Sequence, residues 1–132
     1  FGLQAVAIRF KNSLQENAKI HAITEDVIEA CHNEIVSWEK ESNIVPILIQ
    51  GDDDNIKTKE RWEILKGFFE KKGIDHFEIH SVKGNILSKL INLIYLLDYA
   101  SIYFAIKLET DPTPTESINY IKEKLKEKKF KN

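Results

Sequence analysis

A length of 132 residues fits one domain, and 42% hydrophobic with 30% charged residues is the mixture of a globular chain with a sizeable core, not of a disordered one. Nineteen Lys and Arg against 21 Asp and Glu leave a formal charge of −2, which gives no basic face for nucleic acid. The one cysteine, Cys31, excludes an internal disulfide and a cysteine-rich metal site, and points to a reducing, cytoplasmic setting.

The chain opens on Phe1 and has no methionine, so it is expected to be a piece of a longer product. Arg9 and Lys11 interrupt the first apolar stretch, and no signal peptide is expected. Leu3, Val6, Ala7, Phe10 and Leu14 fall at helical spacing and predict an opening amphipathic helix. Lys19 to Thr24 (KIHAIT) is a candidate strand. Val27 to Lys40 reads as a helix with a break near His32 and Asn33.

Ile44 to Gln50 (IVPILIQ) is an apolar run expected of a strand covered on both faces, with Pro46 near its start or on a free edge. A turn at Gly51-Asp52-Asp53-Asp54-Asn55 follows, Asn55 caps a helix reaching Lys72, and Gly73 ends it. Asp75 to Val82 alternates Phe77, Ile79 and Ser81 against His76, Glu78 and His80, which predicts another strand. Ile86 to Leu108 is the most hydrophobic stretch. Lys89, Asn92, Asp98 and Lys107 would be stranded in hydrocarbon, so a helix buried on most sides, in a core or against a second subunit, is expected instead of a membrane span. Asp111-Pro112 stops it, and a last helix runs into a Lys/Glu-rich end read as a solvated face. Strands alternating with helices predict an α/β fold: a three-layer sandwich with a small parallel sheet flanked by helices.

In the segment Asp111-Pro112-Thr113-Pro114-Thr115-Glu116, Thr113 as N-cap, Pro114 at the first helical position and Glu116 at the third form a capping box. Thr115, Ile118, Lys122 and Leu125 then follow at spacings of 3, 4 and 3, on one stripe expected to turn inward. Lys122 is a cation on that stripe, either a snorkelling lysine or one with a task.

Asn12 to Ile20 (NSLQENAKI), Cys31 to Glu39 (CHNEIVSWE) and Asp98 to Lys122 (DYASIYFAIKLETDPTPTESINYIK) together resemble the C-terminal half of the bifunctional phosphoglucose/phosphomannose isomerases, in that family's order and spacing. The resemblance implies a sugar-isomerase (SIS) domain, a sandwich around a parallel sheet. By motif, Glu16 matches the base that moves a proton between C1 and C2 of the substrate. His32 matches a ring-opening histidine supplied by the neighbouring subunit, and Lys122 the lysine that works with it. Thr115, seven residues before Lys122, matches the threonine linked to acceptance of mannose 6-phosphate. The resemblance thus implies an enzyme that interconverts glucose 6-phosphate or mannose 6-phosphate with fructose 6-phosphate. A carboxylate carrying a proton through a cis-enediol suits that chemistry, and a histidine and a cation suit ring opening. No metal or other cofactor is implied.

The plainer readings stand beside these. Glu16 is a solvated carboxylate at the end of a helix, and His32 is a cap or core-edge histidine. His21, His76 and His80 have no convergent ligands and read as structural. Asp52 to Asp54 is turn chemistry, since three consecutive side chains do not converge on one ion. The family's phosphate-binding serines and threonines belong to its N-terminal domain. No Ser/Thr-rich loop opening a helix is present here, and Arg9 and Arg61, the two arginines, sit in no matching motif. Residues 1–132 therefore read as one C-terminal domain that partners an N-terminal SIS domain, self-associates as a homodimer, and is inactive alone. The alternatives are a non-catalytic sugar-phosphate-binding module and a dimerisation module.

Overall fold

Two short parallel strands, β1 (Ile47–Gln50) and β2 (Phe77–His80), pair in the register Ile47 to Phe77 and Gln50 to His80. The computed structural model describes residues 2–129. Helix α4 (Ile56–Lys72) makes the crossover that parallel pairing requires. Successive strand residues point to opposite faces; helices meet both faces at Leu48 and Ile49 of β1, while Phe77, Glu78 and His80 of β2 stay exposed. Ile49 and its partner Ile79 pack on a cluster of Val6 and Phe10 from α1 (Gln4–Asn17) with Leu93 and Leu97 from α5 (Ile86–Lys107). Leu48 faces the other way, onto Trp38, Leu65 and Phe69. The architecture is an α/β sandwich with a small parallel sheet between helical layers.

Side-chain caps set the main boundaries. Asn55 accepts from the Lys57 backbone N–H at 2.9 Å to open α4, and Gly73 closes it at φ 67°, where no Cβ resists a left-handed turn. Asn85 opens α5 by accepting from the Ser88 N–H at 2.9 Å. At the far end the Glu109 N–H donates to the Ile106 carbonyl at 3.0 Å and the Thr110 N–H to the Ala105 carbonyl at 2.9 Å, the double bond of a Schellman end. Glu109 takes the left-handed position there at φ 53°.

Five expectations need correction. Lys19 to Thr24 is not a strand: Lys19 has φ 56°, which turns the chain at once, and the segment joins no ladder. Two strands therefore form the sheet, not three. The break near His32 is a π-helical turn, Ala30–Glu34, between single turns α2 (Val27–Glu29) and α3 (Ile35–Ser37), so the chain widens there without stopping. The capping box at Thr113 does not form, because the Thr113 N–H and hydroxyl both donate to Asp111 Oδ1, at 2.9 and 2.7 Å. Helix α6 (Glu116–Lys129) starts later, the Thr115 carbonyl accepting from the Asn119 N–H at 3.1 Å.

The last correction concerns burial. The stripe on α6 faces solvent, with Ile118, Ile121 and Leu125 all exposed, because among the described residues no other element packs over them. Helix α5 is buried along one line, Leu93, Leu97, Ser101 and Ala105, half-buried beside it at Leu90, Ile94 and Ala100, and exposed on its opposite face. It is long and apolar enough to cross a membrane by length and composition. In this fold Asp98 accepts from Arg9 and Ser13 on α1, Ser101 accepts from Asn17, and Lys89 donates to Asp53. The Lys/Glu-rich end is exposed through Lys128, and Phe130 to Asn132 of that segment lie outside the described residues.

Candidate functional site

The end of α1 is held in place by its seam with α5. Arg9 Nε and Nη2 both donate to Asp98 Oδ2, at 3.2 and 2.5 Å, and Ser13 Oγ donates to Asp98 Oδ1 at 2.9 Å. Burial pushes the Asp98 carboxyl up, but the bonds from Arg9 and Ser13 and the Arg9 charge outweigh it and hold the group below its ordinary value. One turn on, Asn17 Nδ2 donates to the hydroxyl of the fully buried Ser101 at 2.7 Å. These contacts fix the helix whose outer face carries Glu16.

Glu16 lines an open cleft of about 320 Å³ with Asn12, Gln15 and Lys19 on one wall. The other wall is Pro114, Thr115, Ser117 and Ile118, from the turn before α6 and its first residues. The turn is built by Asp111, whose carboxyl is held below its ordinary value by the Thr113 N–H first and the Thr113 hydroxyl second, with the Lys19 charge adding to both. Lys19 ties the walls together. Its Nζ donates to the Glu16 carbonyl at 2.6 Å and to the Pro112 carbonyl at 3.3 Å.

The cleft therefore unites two of the four singled-out residues, Glu16 and Thr115, across its width. Lys122 lies two turns further along α6, about 10 Å of helical rise beyond Thr115, exposed and away from the lining. His32 is also exposed and outside it, on the π-helical turn. A π-helical turn is a recurrent device for setting functional side chains, since the extra residue shifts those after it around the axis. Beside His32, Asn33 Nδ2 is engaged by Glu29 at 3.0 Å, and Glu34 is raised above its ordinary value by burial, with Glu25 adding to the shift.

The chemistry available in the cleft is a carboxylate, a hydroxyl and an ammonium on an open, partly apolar floor, which suits a polyhydroxylated ligand. Among the described residues no three His, Cys, Asp or Glu side chains converge as a metal site would require. His76 and His80 flank Glu78 on the sheet at 4.0 and 3.5 Å, while His21 is exposed in the segment after α1. Lys19, like Asn12, Gln15 and Ser117, lines the cleft without having been singled out in the sequence. Its one marker was its place just past a helix end, where a glycine would have been expected.

Residues 2–125 match the family described as the bacterial phospho-glucose isomerase C-terminal SIS domain. Two curated relatives carry the name bifunctional phosphoglucose/phosphomannose isomerase. The one from Caldicellulosiruptor bescii is 32% identical over 128 residues, covering 94% of this chain and 38% of the relative. The one from Aquifex aeolicus is 30% identical over 124 residues, covering 92% of this chain and 39% of the relative. The chain thus spans about two fifths of the length of the curated relatives it matches. No solved structure matches it significantly.

Proposed function

Because this chain belongs to the bacterial phosphoglucose isomerase C-terminal SIS domain family, we propose that it is the catalytic C-terminal half of an isomerase that interconverts glucose 6-phosphate or mannose 6-phosphate with fructose 6-phosphate. The observation that carries this reading is the shared cleft of Glu16 and Thr115, within a family match that spans nearly the whole chain. Glu16 takes the proton from C2 of the open-chain aldose, leaving a cis-enediolate; the hydroxyl proton passes from O2 to O1 through the cis-enediol, and Glu16 returns its proton to C1 to give the ketose. Thr115, on the facing wall, contacts the sugar where glucose and mannose differ.

Ring opening precedes that transfer. It needs a proton delivered to the ring oxygen and another removed from the anomeric hydroxyl, and His32 and Lys122 are the pair assigned to it. Both lie outside the cleft of a single chain, so the proposal requires an assembly. His32 comes from a second copy, joined through the exposed face of α5 that carries Ile91, Tyr95, Tyr99 and Tyr103. The exposed Ile118, Ile121 and Leu125 on α6 are covered in the parent protein, which turns Lys122 toward the substrate. The substrate phosphate is held by an N-terminal domain, since the cleft lining here includes no arginine and no Ser/Thr-rich loop.

The reading is tested by assaying the parent protein and the isolated chain side by side on both aldose phosphates. The parent is expected to convert both to fructose 6-phosphate, and the isolated chain to show negligible turnover, because the remote phosphate no longer positions the carbon skeleton. A parent that binds these sugars without converting either would replace the enzyme with a non-catalytic sugar-phosphate-binding module.

A further inference from the structure

Lys19 is an unusual residue to find where it is. It holds a left-handed backbone, φ 56°, that only glycine adopts without strain, directly after Ala18, the C-cap of α1. The side chain does not pair with the Glu16 carboxylate or with Asp111, although the Lys19 charge reaches Asp111. Its ammonium goes instead to two main-chain oxygens from opposite walls of the cleft, Glu16 at 2.6 Å and Pro112 at 3.3 Å. The group is exposed, so these bonds add little to global stability. They do fix a distance. Strained backbone that persists at the edge of a cleft is commonly part of what the cleft does.

We propose that Lys19 is a positioning residue, whose ammonium sets the separation of Glu16 and Thr115 by bridging the end of α1 to the Asp111-Pro112-Thr113 turn. The role rests on the reading of Glu16 as the proton-transferring base. Without the bridge the turn at Pro112 loses its hydrogen bond to the end of α1, and the Glu16 carboxylate loses its fixed approach to the substrate carbons. A misplacement of about 1 Å is enough to lower a rate about 100-fold. Substrate capture through the phosphate is left intact, so the loss falls on kcat and not on KM.

The test uses Lys19→Gly and Lys19→Arg in the parent protein, with Glu16→Gln in parallel. Glycine keeps the left-handed turn and removes the ammonium, so Lys19→Gly retains the fold, which its unfolding midpoint verifies. It is expected to lose kcat by about 100-fold with KM changed less than threefold, and Lys19→Arg, which can still donate to both carbonyls, to recover most of that loss. Hydrogen–deuterium exchange in the isolated chain reads the bridge without reference to catalysis: amides of residues 111–119 are expected to exchange faster in Lys19→Gly. Unchanged exchange, or a wild-type kcat for Lys19→Gly while Glu16→Gln is inactive, overturns the positioning role and leaves the base assignment standing. An active Glu16→Gln overturns the base assignment, and faster exchange in Lys19→Gly then still reports the bridge itself.

Discussion

Asn17 and Ser101 meet across 2.7 Å where the end of α1 lies on α5, and the Ser101 hydroxyl in turn donates to the Asp98 carbonyl at 2.7 Å. Ser101 is 0% exposed, so removing its hydroxyl takes away the buried partner of the half-buried Asn17 amide. Ser101→Ala is expected to destabilise the chain by about 1–3 kcal/mol, measured by urea denaturation. Because Asn17 follows Glu16 directly, the same change should speed amide exchange at the end of α1.

The seam also sets the response to acid. Asp98 has a lowered carboxyl pKa in the folded chain, so the unfolded chain takes up the proton first as pH falls. Its contribution is complete at neutral pH, where the group is ionised in both states. It is lost as pH drops below about 4 and through the folded-state value. Unfolding midpoints recorded from pH 7 to pH 3 should decline on the acid side, and Asp98→Asn should have a lower midpoint at pH 7 and a shallower decline.

Leu93 is wholly buried between Phe10, Val6 and the sheet. Leu93→Ala removes buried methylene groups and leaves a cavity in the layer that joins α1 to α5. A loss of about 2–5 kcal/mol is expected, from the same denaturation measurement. For Leu96, exposed on the other side of α5, truncation to Ala should change monomer stability by less than about 1 kcal/mol.

These contrasts mark what could be read without coordinates. Helix α4 was legible at both ends because Asn55 and Gly73 act locally, through a side-chain cap and a left-handed turn that no distant contact has to supply. The sheet was legible because Ile47 to Gln50 is apolar on both of its faces. The start of α6 was not. Thr113 read as the cap, but Asp111, two residues before it, captured both its N–H and its hydroxyl. Lys19 to Thr24 alternates like a strand, but a strand exists only with a partner, and partners are a tertiary property. Glu16 and Thr115 were each singled out by resemblance alone, and nothing in 99 residues of separation announces a shared cleft. The bridge made by Lys19 depends on that folding, and its one local sign was the residue's place just past a helix end.

The exposed face of α5 predicts self-association. Tyr95, Tyr99 and Tyr103 recur one turn apart, with Tyr95 and Tyr99 rings 5.0 Å between centroids, and Ile91 extends the stripe. So large a contiguous apolar surface on a small domain favours a two-fold partner. Sedimentation equilibrium is expected to give a dimer, and Tyr99→Glu a monomer. A wild-type chain that stays monomeric at high concentration would rule the interface out.

The most direct measurement of the central assignment is solvent proton exchange at C2 of the substrate in the parent protein carrying Glu16→Gln. An amide keeps the shape and hydrogen-bonding reach of the carboxylate but cannot accept the C2 proton as a base. The account predicts that substrate still binds with an affinity close to that of the unaltered enzyme while exchange at C2, followed by isotope incorporation from labelled water, falls to background. Exchange at the unaltered rate in Glu16→Gln would contradict it.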